Sequence, residues 1–243
     1  MIFMSDRLVI IPTYNEKENI EAIIRAVLAV DDSFDILIVD DSSPDGTGDI
    51  IRRLIPESNN RLNLDVRTTK DGLGKAYVHG FKWALAKKYK FIFEMDADFS
   101  HNPNDLPRLY KALVEGADLA VGSRYSNGVN VVNWPMERVL LSYFASKYVR
   151  IITSLPVHDA TAGFVGYKAE VLQALNLDDI KFKGYGFQIE MKYKSWINKF
   201  KIQEVPIIFT DRTLGESKIS SDIIGEAVFG VILLRLRNIF GKL

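Results

Sequence analysis

The sequence predicts an α/β fold in which a mostly parallel sheet is covered by helices on both faces. Short apolar runs suited to buried strands occur at residues 7–11, 35–39, 64–68, 90–95 and 118–122. Between most of these runs lie segments whose apolar residues recur at helical spacing. Strands that alternate with helices at this pitch form parallel sheets, because each helix returns the chain to the edge where the next strand begins.

Each helical segment shows one apolar face. In the first segment this face contains Ile20, Ile23, Ile24, Val27 and Leu28. In two later segments it contains Val78, Phe81 and Leu85, and then Leu106, Leu109, Tyr110 and Leu113. Asn15 is the expected N-cap of the first helix, since Glu18 follows it three residues later.

The composition excludes several classes of protein. Lysine plus arginine equals aspartate plus glutamate, at 31 each, so the chain lacks the single-sign field of a general nucleic-acid binder. We therefore expect no nucleic-acid partner. The 243 residues, 47% of them apolar, can bury a sizeable core. Because there is no cysteine, disulfides and thiolate metal ligands are excluded, and this is typical of a reducing compartment.

The ends of the sequence predict no signal peptide and no membrane span. Asp6 and Arg7 interrupt the apolar N-terminal run, and the longest apolar, uncharged run near the C-terminus is 227–234. A spanning helix needs roughly 18 to 20 such residues. The pattern predicts one domain over 1–220 and an amphipathic C-terminal helix over 221–243.

Polar clusters follow three of the predicted strands, at PTYNE (12–16), DDSSPDGTGD (40–49) and DADFSHNP (96–103). In parallel sheets the ligand crevice lies outside the carboxyl ends of the strands, so we expect these clusters to face one crevice.

Two stretches resemble phosphate-binding loop motifs but are incomplete. GLGKAY (72–77) lacks the serine or threonine after its lysine, and GTGDII (46–51) lacks the last glycine of a dinucleotide fingerprint.

Asp96 and Asp98 lie on either side of one alanine after the fourth predicted strand. The pair is either an ordinary turn or a site for Mg²⁺ or Mn²⁺, which prefer oxygen ligands and bridge them to substrate diphosphates. Ser100 or His101 would complete such a site. We expect His101 to be a turn residue or to support the ligands without touching the ion, because a hard octahedral ion has little need of imidazole.

A second polar pocket is predicted where the first two strands end. Pro12, Tyr14, Glu16 and Asp41 would offer an aromatic face and carboxylate acceptors, which suit a base and ribose hydroxyls. Asp40 and Asp41 can equally be turn formers that lead into the next helix.

These stretches, taken together, closely resemble the inverting glycosyltransferase family 2 enzymes, which have a GT-A fold. In order they are PTYNE, VDDSSPDGT, GLGKA, MDADFSHNP, GSRY and GESK, and the resemblance covers essentially residues 7 to 220. Within that family the chain looks like the dolichyl- or polyprenyl-phosphate mannosyltransferases. The resemblance implies transfer of mannose from GDP-mannose to dolichyl or polyprenyl phosphate, with Mg²⁺ or Mn²⁺ as cofactor.

The resemblance also implies roles for individual residues. The nucleotide sugar would be met by Pro12, Tyr14, Glu16, Asp41 and Asp96, with Gln188 and Glu190 at the sugar hydroxyls. The metal ligands would be Asp98 and Asp96, with Ser100 where some relatives supply a glutamine. The acceptor phosphate would be met by Arg124, Arg138 and Ser142, and Asp159, Thr161 and Gly163 would shape the sugar and phosphate end of the crevice. The residues expected to act in catalysis are Asp96, Asp98, Arg124, Arg212 and Lys218, the last two in a mobile basic segment.

Several alternatives stay open from the sequence alone. The donor can be UDP-glucose or another nucleotide sugar, and the chain can be a non-catalytic sugar-nucleotide-binding subunit. The helix predicted over 221–243 can lie on a membrane surface or pack against protein, since its last nine residues hold three basic residues and no acid. We expect peripheral association with the cytoplasmic face of a membrane, where a membrane subunit is a candidate partner.

Overall fold

The computed structural model of the chain describes residues 5–31, 33–182, 184–211 and 221–241. Within these residues the strands are β1 (Arg7–Thr13), β2 (Phe34–Asp40), β3 (Leu62–Val66), β4 (Phe91–Glu94), β5 (Leu119–Ser123), β6 (Val131–Val132), β7 (Val165–Lys168), β8 (Ile202–Pro206) and β9 (Phe209–Thr210). The α-helices are α1 (Ile20–Val30), α2 (Thr47–Leu54), α3 (Leu73–Ala86), α4 (Leu106–Val114), α5 (Met136–Thr153), α6 (Ala169–Ala174), α7 (Tyr185–Ile197) and α8 (Ser221–Ile239).

One sheet organises the described part of the chain, with strand order β3-β2-β1-β4-β7-β5-β8. Its strands are parallel except β7, which runs antiparallel to both β4 and β5. The short strands β6 and β9 pair with each other in parallel. The predicted α/β class, with a mostly parallel sheet, is therefore confirmed.

Two hydrophobic layers cover the two faces of the sheet, because alternate residues of a strand point to opposite sides. Ile10 of β1 packs with α3 and α7 on one face, whereas Ile11 packs with α1, α2 and α4 on the other. All seven residues of β2 are buried. A strand that is buried on both faces needs a continuous apolar run, and the run DILIV (35–39) therefore predicted this strand.

The register of the strands places the crevice. Thr13 lies beside Asp40 at the carboxyl ends of β1 and β2. On the other side of β1, Ile10 pairs with Glu94, so β4 ends earlier and its following loop enters the same edge. Because β7 is antiparallel, Val165 at its beginning pairs with Glu94. The loop that precedes β7 therefore lies beside the loop that follows β4.

Two local predictions were wrong. The third strand covers Leu62–Val66 rather than 64–68, and as an edge strand it is only partly buried, so its apolar pattern is weak. Asn15 is not the N-cap of α1, which is Asn19. Asn15 instead adopts a left-handed conformation with φ 55° and donates its backbone N–H to Ser43 Oγ at 3.0 Å.

Candidate active site

The loop after β4 carries the predicted aspartate pair. Asp98 is 8% exposed, and its Oδ1 accepts the backbone N–H of Ser100 at 3.0 Å. Phe99 between them has a left-handed φ of 59°, which closes a tight turn. The side chain of Asp96 is more open, at 37% exposure. The same residues therefore form a turn and offer carboxylates for a metal ion, because the turn fixes Asp98 and leaves Asp96 exposed.

His101 packs beside this loop and accepts a hydrogen bond from it. Its Nδ1 lies 3.2 Å from the backbone nitrogen of Asp96 and accepts that N–H. The ring stacks on Phe164 at 5.0 Å between centroids. His101 is thus a turn residue held by packing and one hydrogen bond, as its sequence position predicted.

The donor set in this loop fits a hard divalent cation that is shared with a substrate. Asp96 and Asp98 offer carboxylate oxygens, and Ser100 is buried beside them. Among the described residues, no group of three or more histidine, cysteine, aspartate or glutamate side chains forms a closed metal site. Mg²⁺ and Mn²⁺ do not need one, because they commonly take one or two carboxylates and complete their shell with water and phosphate oxygens.

The residues of the predicted nucleotide pocket lie where β1 and β2 end. Tyr14 has Lys70 Nζ over its ring, 3.7 Å from the centroid. Asp41 is 8% exposed, and its Oδ1 forms an ion pair with Arg67 Nη1 at 3.2 Å. Burial raises the pKa of Asp41, although the charge of Arg67 acts in the opposite direction. Pro12, near the end of β1, is half-buried.

Asp40 and Asp41 have different tasks. The carboxylate of Asp40 accepts the Thr13 hydroxyl at 2.8 Å, and it accepts the backbone N–H and the hydroxyl of Ser43 at 2.9 and 2.6 Å. Asp40 therefore locks the turn after β2 to the end of β1. A similar bond, from the Glu16 N–H to Thr47 Oγ1 at 3.0 Å, ties the PTYNE loop to α2.

Arg67 and Lys70 were not among the predicted site residues. Both follow β3, and the rule that ligands bind beyond the carboxyl ends of parallel strands applies to that strand as well. The stretch VRTTKD carries two cations directly after an apolar run, which was the available signal. The structure places Arg67 and Lys70 against Asp41 and Tyr14, so the pocket has positive charge as well as acceptors.

Arg124 follows β5 and is 7% exposed. Its Nε and Nη2 donate to the two carboxylate oxygens of Asp159 at 2.7 and 2.6 Å, and its backbone N–H donates to Asp159 at 2.9 Å. Nη2 also reaches Thr161 Oγ1 at 2.9 Å. Burial alone raises the pKa of Asp159, but the charge and hydrogen bonds of Arg124 outweigh this and lower it.

Arg138 and Ser142 lie four residues apart on α5, hence on one side of that helix. Arg138 pairs with Asp211 at 2.8 Å and lies 4.1 Å from the centroid of Trp134. The guanidinium of Arg124 lies 5.4 Å from the same ring. The two predicted acceptor arginines are therefore brought together around Trp134.

An aromatic contact connects these arginines to the aspartate loop. Phe209 lies edge-on to His101 at 5.5 Å and edge-on to Trp134 at 5.2 Å. The guanidinium of Arg124 also lies 5.4 Å from the Phe209 ring. Arg212 and Lys218, the other predicted basic residues, lie outside the described residues.

Gln188, predicted at the sugar, lies on α7 in a buried polar cluster. Its Nε2 donates to Glu94 at 2.6 Å, and its Oε1 accepts from Lys192 Nζ at 3.2 Å. Burial raises the pKa of Glu94 to about 8, against the effects of Gln188 and Lys192. Burial also lowers the pKa of Lys192 to about 8. Glu94 and Lys192 thus lie on opposite sides of the Gln188 amide, and both hydrogen-bond to it.

Glu190 differs from its predicted role at the sugar. Its Oε2 accepts the backbone N–H groups of Lys181 and Phe182 at 2.8 and 3.1 Å, and its Oε1 pairs with Lys194 at 3.0 Å. Positions 188 and 190 point to different sides of a helix, so both cannot face one ligand. Glu190 instead holds the loop before α7.

Comparisons with known proteins agree with this geometry. Residues 8–175 match the family described as Glycosyl transferase family 2. A polyprenol monophosphomannose synthase of Mycolicibacterium smegmatis is 47% identical over 224 residues, which are 92% of this chain and 84% of that protein. An undecaprenyl-phosphate mannosyltransferase of Micrococcus luteus is also 47% identical over 224 residues, or 92% of this chain and 91% of that protein.

Solved structures show the same fold. A mannosyltransferase of Pyrobaculum calidifontis in complex with GDP-Man and Mn²⁺ superposes with a TM-score of 0.61, covering 99% of this chain and 73% of that one. The two sequences are 16% identical, so this similarity concerns the fold alone. The predicted GT-A fold is confirmed.

Proposed function

Since this chain belongs to glycosyltransferase family 2 and is a glycosyltransferase, we propose that it transfers mannose from GDP-mannose to a polyprenyl or dolichyl phosphate. The main support is the 47% identity, over nearly the whole chain, to two proteins named for polyprenyl-phosphate mannose synthesis. The arrangement of the site adds to this, because carboxylates and the buried Arg124 lie at one edge of one sheet.

In this proposal the donor lies across the carboxyl ends of β1, β2 and β4. Pro12, Tyr14, Glu16 and Asp41 would hold the base and ribose. Asp98 and Asp96, beside Ser100, would hold a divalent metal ion with the diphosphate. Such an ion neutralises the charge that develops on a departing diphosphate. The chain's own contribution is to keep Asp98 in one position through the Ser100 N–H.

The acceptor phosphate would lie at Arg124, Arg138 and Ser142. A phosphate monoester has a second pKa of about 6, so it is already mostly ionised at neutral pH and needs no general base. Two anions must then be held in line, which requires positive charge. Arginine suits this because its planar fork binds phosphate oxygens in pairs. Arg212 and Lys218 belong to the same proposal.

The first test measures transfer directly. The full chain would be incubated with Mg²⁺ or Mn²⁺ and a short polyprenyl phosphate, with labelled GDP-mannose and labelled UDP-glucose in parallel. We expect label from GDP-mannose alone to enter the organic phase with inverted configuration at the anomeric carbon. Transfer from UDP-glucose instead would replace the donor assignment, and nucleotide binding without transfer from either donor would favour a binding subunit.

The same proposal places the chain at the cytoplasmic face of a membrane, where a lipid phosphate would be met. Among the helices of the described residues, none is long and apolar enough to cross a bilayer. Two helices nevertheless expose large apolar side chains. On α5 these are Met136, Leu140, Leu141, Tyr143, Phe144 and Ile151, and on α8 they are Phe229, Ile232, Leu233, Leu236 and Ile239.

These two helices pack against each other on the same face of the sheet. Lys147 and Arg150 are also exposed on α5, and α5 carries two of the proposed acceptor residues. Exposed apolar side chains beside basic ones suit the interface of a bilayer with anionic lipids. We therefore propose that α5 and α8 together bind the membrane surface, a wider surface than the C-terminal segment predicted from sequence.

Charge on this surface should weaken membrane binding. Phe144 is 57% exposed and Phe229 is 77% exposed, so a glutamate at either position costs little in the folded chain. We expect Phe144→Glu and Phe229→Glu each to lower binding to phosphatidylglycerol-containing vesicles by about tenfold, since a buried phenylalanine contributes about 1.5–3 kcal/mol. Co-sedimentation across a lipid titration would measure this.

Val114→Glu is the matched control, because Val114 is 59% exposed on α4, which packs on the opposite face of the sheet. Equal losses in all three variants, or none in the two phenylalanine variants, would contradict the membrane proposal. A dimer that forms with rising concentration, and that the phenylalanine variants abolish, would assign the surface to a second copy of the chain.

A further inference from the structure

Glu94, Gln188 and Lys192 form a buried chain of hydrogen bonds beside the aspartate loop. Glu94 and Lys192 are 0% exposed, and Gln188 is 3% exposed. Glu94 is the last residue of β4, two residues before Asp96, whereas Gln188 and Lys192 lie one turn apart on α7. Charged residues are rarely buried this completely without a role that compensates for the cost.

These hydrogen bonds fix the orientation of the Gln188 amide. Oε2 of Glu94 accepts from Nε2, and Nζ of Lys192 donates to Oε1. If the amide were flipped, its NH₂ group would face Lys192 Nζ, which offers only donors. That contact would be unfavourable, so the orientation with Oε1 toward Lys192 is the stable one.

Lys192 also holds the loop that precedes β7. Its Nζ donates to the carbonyl oxygen of Ala162 at 2.6 Å, next to Gly163. β4, α7 and this loop are thereby joined through one lysine and one glutamine. All three elements border the aspartate pair.

A small space beside Gly163 is bordered by Gln188, the middle residue of this hydrogen-bonded series. A Cβ atom built on Gly163 would lie 4.0 Å from Gln188 Nε2, 4.0 Å from Asp96 Oδ2 and 3.6 Å from His101 Cε1. These are ordinary contact distances, so the glycine leaves room that a side chain would fill. The nitrogen of Gln188, and not its oxygen, borders this space next to Asp96.

We propose that Glu94 and Lys192 are positioning residues for Gln188. They fix its amide with an N–H toward the sugar of the bound nucleotide sugar, and this N–H selects which sugar is transferred. The inference rests on the proposed function, because it assumes that the sugar lies over Gly163 beside Asp96. A fixed N–H donor favours a sugar that presents an acceptor there and disfavours an epimer that does not.

A swap of two side chains separates this role from a structural one. In Glu94→Gln/Gln188→Glu the glutamine at 94 can donate to the new carboxylate at 188, and Lys192 can still donate to it. The buried hydrogen bonds are kept, but residue 188 now presents an acceptor in place of a donor. We expect the swap to melt close to wild type, while its preference for GDP-mannose over GDP-glucose, measured as the ratio of kcat/KM, falls about tenfold.

Lys192→Met provides a second variant in case the swap folds poorly, and Lys194→Met is its matched control. Lys194 is also a buried lysine of α7, but it donates to the carbonyl of Asp179 and pairs with Glu190. We expect Lys192→Met to lower the mannose-to-glucose ratio about tenfold through a higher KM for GDP-mannose, and Lys194→Met to leave the ratio unchanged.

The outcomes are distinguishable. A wild-type chain that transfers no mannose would overturn the proposed function, and this inference with it. An active wild type whose sugar preference is unchanged in the swap or in Lys192→Met would overturn only the positioning role. An equal change in Lys192→Met and Lys194→Met would also overturn it, because the effect would then follow the loss of any buried lysine from α7.

Discussion

Asp98→Asn is expected to lower mannose transfer by about 10³-fold while the chain still folds. Asparagine has nearly the same shape, and its side-chain oxygen can still accept the Ser100 N–H that aspartate accepts. What is lost is one negative charge at the proposed metal ion. Metal stabilisation of a leaving group contributes several kcal/mol, and each 1.4 kcal/mol corresponds to about tenfold in rate. Initial rates with labelled GDP-mannose would measure the loss.

Metal removal should have the same effect on the wild type. A chelator is expected to lower wild-type transfer to the level of Asp98→Asn, and added Mn²⁺ or Mg²⁺ should restore only the wild type. Asp105→Asn is the control, because Asp105 is also buried and is paired with Arg108 in the turn that follows. Near-normal activity of Asp98→Asn, or wild-type activity that resists chelation, would rule out the metal role.

Asp159→Asn is expected to lower the free energy of unfolding by about 3–5 kcal/mol at neutral pH, since the change leaves a buried arginine without its charged partner. Asp159 is fully buried and takes three hydrogen bonds from Arg124. Urea unfolding would measure the change. Asp118→Asn is the control, because that carboxylate is 29% exposed beside Lys168 and such pairs contribute about 0–1 kcal/mol.

The loss of unfolding free energy in Asp159→Asn should become smaller as the pH falls. Burial opposes ionisation of Asp159, but Arg124 holds its pKa below the usual value. A group whose pKa is lowered by folding stabilises the fold above its unfolded pKa, about 3.9 for aspartate, and this stability is lost as the pH falls through the lower, folded value. The difference between the variant and the wild type should therefore begin to shrink as the pH falls below about 4. A deficit of equal size at low and neutral pH would contradict this account.

The first half of the fold could be predicted because parallel strands leave a plain signal. β2 is buried on both faces, so its sequence is a continuous apolar run. β7 gave no such signal, since it is short and includes Gly166, where a Cβ would lie 2.7 Å from Phe93. The extent of α5 was also hidden, because exposed apolar residues such as Leu140 and Phe144 remove the single apolar face that marks the length of a helix.

The candidate site was predictable where it follows the strand-end rule, and less so elsewhere. Asp98 and Asp41 stand directly after strands. Arg124 and Asp159 are 35 residues apart, and nothing in the sequence indicates that they touch. Glu94 carried a signal that was overlooked, namely one charged residue inside the apolar run KFIFEM. A charge at a strand position that must be buried requires a partner, here Gln188 with Lys192.

The antiparallel strand β7 makes the proposed acceptor residues separable from the loops that follow β1, β2 and β4. Val121 of β5 pairs with Val165 of β7, so the chain leaves the sheet after β5 and returns beside the point of departure. The excursion between these strands, 124–164, is one contiguous stretch that holds Arg124, Arg138 and Ser142. A chimaera that receives this stretch from a relative needs only two junctions, both anchored by hydrogen-bonded strands. We expect such a graft to change the preference for the acceptor lipid, while the loops that follow β1, β2 and β4 stay untouched.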